Sequence, residues 1–201
     1  PQKGRYRQFN QINFEIFGLI DYMADLELII LADDILKSLL PSSEIILNLN
    51  SLGQKNDLKE YKKILSKYFN DKKLKLSEES REKIYTNPLR ILDSKNENDN
   101  KISSLAPSIL DHISNDSKNH FDELKKGLKF YNINFQVNNK LVRGLDYYCG
   151  TVFEFKTQSL GSQDTLLGGG RYDGLINLLG GPDIPGIGWA AGIERISMLM
   201  K

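Results

Sequence analysis

Two groups of arginine, tyrosine and aspartate residues could do chemistry in this sequence. The first is embedded in the strand-like stretch NKLVRGLDYYCGTVFEF and consists of Arg143, Asp146, Tyr147 and Tyr148. The second, at residues 171–173, follows three consecutive glycines in GGGRYDGL. Rigid tyrosines with polar tips, planar guanidinium groups and a closely approachable glycine backbone suit a small anionic ligand. The same glycines also suit a hairpin with a bulge, and this stretch alone leaves both interpretations open.

A second candidate surface lies near the first residues of the sequence. A basic loop that contains Arg5 leads into the alternating run FNQINFEIF. Such alternation predicts a strand with two different faces. One face would carry Phe9, Gln11, Asn13 and Glu15, and the other would carry Ile12, Phe14 and Ile16. The first face offers a ring for stacking, acceptors for an ammonium group and nearby arginines for phosphate, although an ordinary solvated face shows the same alternation.

A third segment combines glycines with an arginine. PGIGWAAGIERI predicts a strand with Gly186 and Gly188 that passes through Gly192 into a helix, and Arg195 lies close to the start of that helix. The amide groups at a helix start, next to an arginine, suit a phosphate. The sequence has no Walker loop and no GxGxxG run after a strand. A nucleotide would therefore have to be held by arginines over an antiparallel sheet.

The composition is that of a globular protein from a reducing compartment. The 201 residues are 40% hydrophobic and 26% charged, and no apolar run is long enough to cross a membrane. The net charge of +1 gives no overall basic field for nucleic acid. Cys149 is the single cysteine, and His112 and His120 are the only histidines, which argues against disulfides and zinc. We predict a cytoplasmic protein without a membrane contact and assign no metal-binding residues.

Periodicity predicts scaffold elements between these segments. Apolar residues at helical spacing predict a helix over residues 25–40, and residues 44–49 resemble a strand. Further predictions are helices at 57–69, from Ser77 to about Asn87, at 107–113 and at 117–131, with a polar linker at 94–104. We therefore predict a core of residues 1–55 and 132–201 with a helical insertion at 56–131. The insertion's many lysines favour a solvated small domain and, secondarily, an RNA-facing flap.

The chemical segments resemble, in order, the motifs of the histidyl-tRNA synthetase family. PQKGRYRQFNQINFEIFG is similar to the second motif of class II aminoacyl-tRNA synthetases in its histidine-specific form. LVRGLDYYCGTVFEF and GGGRYDGL resemble two stretches peculiar to this family, and GIGWAAGIERI resembles the third class II motif. The resemblance covers the whole sequence. It implies an α+β fold in which an antiparallel sheet is flanked by helices and carries a helical insertion.

The resemblance also implies an aminoacyl-tRNA ligase. Such an enzyme activates L-histidine with ATP to histidyl-adenylate, transfers it to the 3′ end of tRNA(His) and forms a homodimer, with Mg²⁺ bridging the phosphates. By motif position, the ATP-binding residues would be Arg5, Phe9, Arg143 and Arg195. The histidine-binding residues would be Gln11, Glu15, Tyr147, Tyr148 and Tyr172. Arg143 would be the catalytic residue, between the histidine carboxylate and the α-phosphate.

The sequence departs from the family pattern at its ends. It begins at Pro1 without a methionine and stops at Lys201 inside a predicted helix, so we expect a piece of a longer protein. The first class II motif, the second-motif arginine on the α-phosphate and the C-terminal anticodon-binding domain of relatives are outside this sequence. We expect that the 201-residue piece alone does not aminoacylate, whereas the complete protein does.

Two other functions compete with this interpretation. The regulatory subunit of ATP phosphoribosyltransferase resembles the synthetase core and would be a non-catalytic histidine sensor. Arg5, Arg143 and Arg195 together favour triphosphate chemistry, which a sensor does not need. A pure RNA-binding module is a weaker alternative, because acids nearly balance the lysines of the insertion and the usual stacking repeats are not recognisable.

Overall fold

The computed structural model describes residues 6–160 and 164–200, which build a six-stranded sheet flanked by helices. The strands are β1 (Gln11–Phe17), β2 (Ile46–Ser51), β3 (Phe135–Val137), β4 (Cys149–Lys156), β5 (Thr165–Arg171) and β6 (Gly186–Gly192). Their order across the sheet is β1-β6-β5-β4-β2-β3. The predicted α+β architecture is therefore confirmed.

The helices occupy the connections between these strands. They are α1 (Tyr22–Leu39), α2 (Lys55–Asn70), α3 (Glu78–Thr86), α4 (Leu89–Leu92), α5 (Glu97–Ser103), α6 (Asn115–Phe130), α7 (Leu175–Leu178) and α8 (Ile193–Ser197). The longest, α1, begins where the side chain of Asp21 accepts a hydrogen bond from the amide of Met23 at 2.9 Å. That carboxylate satisfies one of the amide donors that a helix start leaves without a partner.

The sheet departs from the purely antiparallel prediction at one edge. β3 pairs parallel to β2, whereas the other neighbouring strands pair antiparallel. The connection from β2 to β3 contains α2 to α6, and a long helical connection can return the chain in the same direction. β3 is only three residues long, FQV, so its pairing direction could not be inferred from its residues.

One face of the sheet forms the main hydrophobic core with α1 and α6. Alternate strand residues point to this face, namely Leu47, Leu49, Phe153, Phe155, Leu167, Ile187 and Trp189. They meet Leu26, Ile29 and Leu36 of α1 and Phe121, Leu124 and Leu128 of α6. The period of two in the strands and the helical spacing in α1 and α6 thus bury one face of each element. The opposite face of the sheet stays available for a ligand.

A second hydrophobic cluster organises the helices that follow β2. It joins residues of α2, α3 and α4 to Leu141, which precedes β4, and to Val152 of β4. α6, by contrast, packs on α1 within the main core. The division into a core of residues 1–55 and 132–201 and an insertion at 56–131 stays a proposal, and the second cluster supports it for α2 to α5.

Two of the local predictions inside residues 56–131 are wrong. The polar linker predicted at 94–104 contains α5, whose start is capped by the side chain of Asn96. The helix predicted at 107–113 is only a single 3₁₀ turn, Ile109–Asp111. The cause at α5 is a buried polar residue, Asp99, which carries no hydrophobic signal. Asp99 accepts hydrogen bonds from the amide and hydroxyl of Ser77 at 2.8 and 2.6 Å and from the hydroxyls of Ser80 and Ser94 at 2.6 and 2.8 Å.

Asp99 is expected to be a main determinant of the stability of this helical region. Burial alone would raise the pKa of Asp99, but the hydrogen bonds from Ser77, Ser80 and Ser94 lower it below its ordinary value. The ionised carboxylate therefore stabilises the fold fully above the unfolded-state pKa of about 3.9, and this contribution disappears as the pH falls through the lower folded-state pKa.

Asp99→Asn should lower the free energy of unfolding by about 1–3 kcal/mol at pH 7, because buried donors lose their acceptor. Urea unfolding at several pH values measures this difference, which should shrink below pH ~4. Asp93→Asn is the matched control, since Asp93 is exposed at the end of α4. Equal destabilisation by both substitutions would contradict the assignment.

Candidate active site

On the face of the sheet opposite the main core, β5 and β6 present mainly backbone. Gln11, Asn13, Glu15 and Phe17 of β1 pair with Gly192, Ala190, Gly188 and Gly186 of β6. In the next strand, Gly168 and Gly170 of β5 pair with Ala190 and Gly188. Paired residues share a face of a sheet, so five glycines and one alanine form a floor beside the polar side of β1. We call this surface the glycine floor.

An open cleft of about 440 Å³ lies at the Gln11 end of the glycine floor. Its lining includes Phe9, Gln11, Arg143 and Arg195. Phe9 is 56% exposed, so its ring is available for stacking. Arg195, on α8, donates a hydrogen bond from Nη1 to the carbonyl of Thr165 at 2.6 Å. The aromatic rings of Tyr6 and Phe9 and two guanidinium groups therefore line one cavity, as an anionic ligand with a flat ring requires.

Arg143 is held directly over the glycine floor. Its Nη1 lies 2.5 Å from Oε1 of Glu154, and its Cζ lies 5.6 Å from the centre of the Tyr148 ring. A side chain at Gly168 would collide with it, because a Cβ built there lies 2.6 Å from Nη1. The Nε of Arg143 is buried and has no hydrogen-bond partner among the described residues. A fixed guanidinium with an unused donor is suited to a ligand anion.

Glu194 is a carboxylate in the lining of the same cleft. Its oxygens accept hydrogen bonds from the backbone amide of Asn10 at 2.8 and 3.1 Å and from Nδ2 of Asn10 at 2.9 Å. The pKa of Glu194 is lowered by its own backbone amide first and by Asn10 second. Glu194 therefore stays ionised beside the arginines of the cleft.

A cluster of three tyrosines lies at the other end of the glycine floor. The rings of Tyr147 and Tyr148 are 4.7 Å apart, and the Tyr172 ring lies 6.1 Å from Tyr147 and 6.4 Å from Tyr148. The hydroxyl of Tyr172 donates a hydrogen bond to Oε2 of Glu15. We call Glu15 and the three tyrosines the tyrosine slot. It offers one carboxylate, aromatic walls and hydroxyl groups, which suit a cationic ligand with a flat ring.

The hydroxyls of Tyr147 and Tyr172 stay protonated at neutral pH. Burial raises the pKa of Tyr147 to about 12, and the neighbouring Tyr148 adds to this effect. The pKa of Tyr172 is also raised, first by burial and then by its hydrogen bond to Glu15. Both groups therefore remain hydrogen-bond donors.

The model of the protein family described as "Histidyl-tRNA synthetase" matches residues 1–196. The chain belongs to this family. A curated histidine–tRNA ligase from Rippkaea orientalis is 50% identical over 201 residues, which is 100% of this chain and 47% of that protein. A curated histidine–tRNA ligase from Rickettsia typhi is 51% identical over 201 residues, which is 100% of this chain and 49% of that protein. The chain thus spans about half the length of the curated relatives that it matches.

Solved structures of this family share the architecture. The apo histidyl-tRNA synthetase of S. aureus superposes with a TM-score of 0.76 at 34% identity, over 96% of this chain and 47% of that chain. A Bacillus halodurans structure titled as an ATP phosphoribosyltransferase regulatory subunit/histidyl-tRNA synthetase gives a TM-score of 0.62 at 20% identity, over 96% of this chain and 54% of that chain. The second likeness is one of fold alone, so the regulatory-subunit interpretation is the weaker one.

The structure brings the described residues of the predicted site together in two neighbouring groups. Phe9, Gln11, Arg143 and Arg195 line the cleft, and Glu15, Tyr147, Tyr148 and Tyr172 form the tyrosine slot. Arg5 lies outside the described residues. Arg143, Tyr147 and Tyr148 precede β4 and lie in a loop, whereas the sequence suggested a continuous strand. The loop frees these side chains from strand alternation, so several can face the same ligand.

Sequence reasoning missed Glu154, the ion-pair partner of Arg143. A signal was present, because Glu154 lies between Phe153 and Phe155 in an alternating strand and must point away from the core. It also missed Glu194 and its contacts with Asn10, for which the sequence offers no periodic signal. Contacts between segments 184 positions apart depend on the pairing of β1 with β6.

A lysine-rich cleft of about 460 Å³ opens beside the tyrosine slot. One wall consists of lysines on one side of α2, namely Lys55, Lys59, Lys62 and Lys63. The lining also contains Leu175 and Leu178 of α7, Tyr147 and Tyr148, and the carboxylates of Asp146 and Asp173. Basic and apolar walls next to aromatic rings suit a single-stranded nucleic acid, whose phosphates bind lysines and whose bases stack.

Cys149 lies behind the slot as the first residue of β4. It is 5% exposed, and burial raises its pKa to about 11. Within residues 6–160 and 164–200, no group of three or more histidine, cysteine or acidic side chains is placed to hold a metal ion. In the same part of the chain, no helix combines the length and apolar character of a membrane span.

Proposed function

We propose that this chain is part of an ATP-dependent histidine–tRNA ligase. The complete enzyme would join L-histidine to ATP as histidyl-adenylate and then transfer histidine to the 3′ end of tRNA(His). One observation carries the proposal: the arginine-lined cleft and the tyrosine slot adjoin on one glycine floor, with Arg143 and Tyr148 in contact between them. The family membership supports the same activity.

The cleft would bind ATP. Phe9 would stack on the adenine ring, and Arg195, together with Arg5, would bind the triphosphate tail. Glycines allow the nucleotide to lie close to the β5 and β6 backbone, where a side chain would block it. The unpartnered Nε of Arg143 would then donate to a ligand oxygen. These contacts bend the phosphates toward the tyrosine slot.

The tyrosine slot would bind free histidine. Glu15 would offset the charge of its ammonium group, with Gln11 as a further acceptor, and Tyr172 would contact the imidazole ring. Tyr147 and Tyr148 would form the aromatic wall. The histidine carboxylate would attack the α-phosphorus, forming the mixed anhydride while pyrophosphate leaves. Arg143 would stabilise the negative charge that accumulates when these two anions meet.

The residues of the cleft fit magnesium bound chiefly by the nucleotide. Magnesium in nucleotide sites keeps several waters and takes one or two carboxylates together with phosphate oxygens. Glu194 is the carboxylate that lines the cleft, and Asn10 keeps it ionised. When bound, the ion would neutralise phosphate charge.

The lysine-rich cleft would receive the 3′ end of the tRNA. It leads from the surface of α2 to Tyr147 and Tyr148, which border the slot where the adenylate would form. Lys59, Lys62 and Lys63 would bind phosphates, while Leu175 and Leu178 would contact a base. We further propose that the complete protein is a cytoplasmic homodimer.

Removal of these lysines should separate the two steps of the reaction. In the full-length protein, Lys59→Gln/Lys62→Gln/Lys63→Gln should leave adenylate formation unchanged and slow transfer to tRNA. The salt dependence of tRNA binding should weaken by about 0.7 in logarithmic slope for each lysine removed, as for single-stranded nucleic acids. Filter binding at several salt concentrations and single-turnover transfer measure these effects.

The matched control removes three lysines from another helix surface. Lys125, Lys126 and Lys129 of α6 do not line the lysine-rich cleft, and two of them pair with Asp122 and Glu123 on the same helix. Equal slowing of transfer by both triple substitutions would show a general charge effect and would reject the proposed tRNA path.

The activity itself is tested by amino-acid-dependent exchange of pyrophosphate into ATP. The full-length protein should catalyse exchange with histidine and show little with the other standard amino acids. It should also charge tRNA(His). Exchange that does not depend on histidine would refute the proposal. The 201-residue piece alone should not aminoacylate.

A further inference from the structure

Arg171 is the residue of the GGGRYDGL segment to which the proposed reaction gives no role. It ends β5, pairs with Ile187 of β6 and is only 2% exposed. Because paired residues share a face, Arg171 points to the core side of the sheet, whereas the hydroxyl of Tyr172 reaches Glu15 on the glycine floor. A charged side chain inside a core is unfavourable unless it is fully paired.

The partner of Arg171 is the buried carboxylate of Asp25 on α1. Nε and Nη2 of Arg171 lie 2.7 and 2.6 Å from Oδ1 of Asp25, which is 0% exposed. The other oxygen, Oδ2, accepts from the hydroxyl of Thr151 at 2.5 Å and lies 2.8 Å from Nε2 of His120. The carboxylate is therefore saturated by groups from three other elements, β4, β5 and α6.

The remaining donors of Arg171 hold the backbone next to the tyrosine slot. Nη1 donates to the carbonyl of Leu19 at 3.1 Å, and Nη2 donates to the carbonyl of Asp21 at 2.9 Å. Both carbonyls belong to the loop that follows β1, the strand of Glu15. One guanidinium thus ties this loop to the end of β5, where Tyr172 begins.

Asp173 extends the same network to the start of β6. Its Oδ1 lies 3.4 Å from Nη1 of Arg171 and accepts a hydrogen bond from the amide of Gly186 at 3.1 Å. The amide of Tyr172 in turn donates to the carbonyl of Gly186 at 2.8 Å. Gly186 leaves room for the Tyr172 ring, since a Cβ there would lie 2.5 Å from Cε2. The segments on both sides of Tyr172 are therefore fixed from the core side.

From this arrangement we propose that Asp25 and Arg171 are positioning residues for the tyrosine slot. They set the distance between Glu15 and Tyr172 without facing the glycine floor themselves. The inference rests on the proposed function, because the slot is assigned to histidine. Loss of the pair should therefore weaken histidine binding, whereas ATP binding depends on the opposite end of the floor, where Phe9 and Arg195 lie.

The test uses conservative substitutions in the full-length protein. Arg171→Lys keeps the charge but loses the planar fork, and Asp25→Asn keeps the shape but loses the charge. Both should raise the KM for histidine in pyrophosphate exchange by about 10-fold or more, since small misplacements of binding groups have large effects. The KM for ATP should stay close to the wild-type value. Parallel increases in both KM values would overturn the proposal.

A control separates positioning from general stability. Asp99→Asn removes another fully buried, multiply hydrogen-bonded carboxylate in the helical region, so it should lower the Tm and leave the KM for histidine unchanged. If Asp99→Asn raised the KM for histidine as much as Asp25→Asn does, the role would be purely structural. A double variant, Asp25→Leu/Arg171→Met, replaces the ion pair by two apolar side chains and avoids an unpaired buried charge.

The double variant decides the question if the single variants do not fold. A folded double variant with a raised KM for histidine supports positioning, and one with a wild-type KM rejects it. Failure of the proposed function is visible separately, because the wild-type protein would then show no histidine-dependent exchange. His120→Gln, which keeps a donor for Asp25, should have the smallest effect of the series.

Discussion

Replacing Arg143 by alanine in the full-length protein is expected to lower the rate of histidyl-adenylate formation by about 10²–10³-fold. Carboxylate attack on phosphorus brings two anions together, and the guanidinium of Arg143 lies over the glycine floor between the arginine-lined cleft, where we propose that ATP binds, and the tyrosine slot. Its contacts with Glu154 and Tyr148 fix it before the ligands arrive. Without this preorganised donor, the negative charge that develops in the transition state is less stabilised, and the reaction slows.

The Arg143→Ala variant should remain folded, so a slower reaction would reflect the chemical step rather than unfolding. Arg143 is partly exposed, and after its removal Glu154 keeps an ion pair with Lys156 at 3.2 Å. Single-turnover adenylate formation at saturating histidine and ATP measures the rate. Arg81→Ala is the matched control. The side chain of Arg81 donates hydrogen bonds to the backbone carbonyls of Leu76 and Leu74, away from the cleft and the tyrosine slot. A rate within a few-fold of wild type would remove Arg143 from its proposed role.

Gly168→Ala should produce a loss of about 10²-fold through one added methyl group, because small misplacement of a reacting group has effects of this size. The new Cβ would lie 2.6 Å from Nη1 and 3.0 Å from Cζ of Arg143. The flexible arginine can move away, so the strand should survive while the guanidinium leaves its position. The Tm should therefore change little, and the single-turnover rate should fall.

Gly192→Ala is the control for this substitution. Gly192 lies on the same floor, but a Cβ there meets its nearest atoms, on Arg195, at an ordinary distance of 3.7 Å. Its rate should stay close to that of the wild type. A similar fall in rate in both variants would indicate that a distorted strand backbone, and not a displaced Arg143, causes the loss. A wild-type rate for Gly168→Ala would show that the position of the guanidinium is not critical.

Strand and helix periodicity, together with the motifs, predicted the fold, whereas the roles of the site residues stay predictions. The alternation FNQINFEIF predicted β1 and its two faces, and the helical spacing of Leu26, Ile29 and Leu36 predicted α1. These signals are local, because each depends on residues a few positions apart. The described residues that the motif resemblance implied lie in the arginine-lined cleft and in the tyrosine slot.

Long-range polar pairing could not be inferred in the same way. Asp25 and Arg171 are 146 positions apart, and Asp25 was only the first residue of the helix predicted at residues 25–40. Asp99 likewise occurs in a stretch with no hydrophobic pattern, which is why α5 was mistaken for a linker. A buried polar residue is determined by its three-dimensional partners, and a single sequence contains no periodic trace of them.

The burial of Cys149 provides an internal reporter of local opening. Cys149 is 5% exposed and burial raises its pKa to about 11, so an alkylating reagent should modify it slowly in the native state and faster when this part of the sheet opens. Cys149 pairs with Arg171 across β4 and β5, so its labelling rate follows the part of the sheet that carries Tyr172. Native-state labelling kinetics, with and without histidine and ATP, would therefore measure how strongly substrates hold this part of the sheet closed.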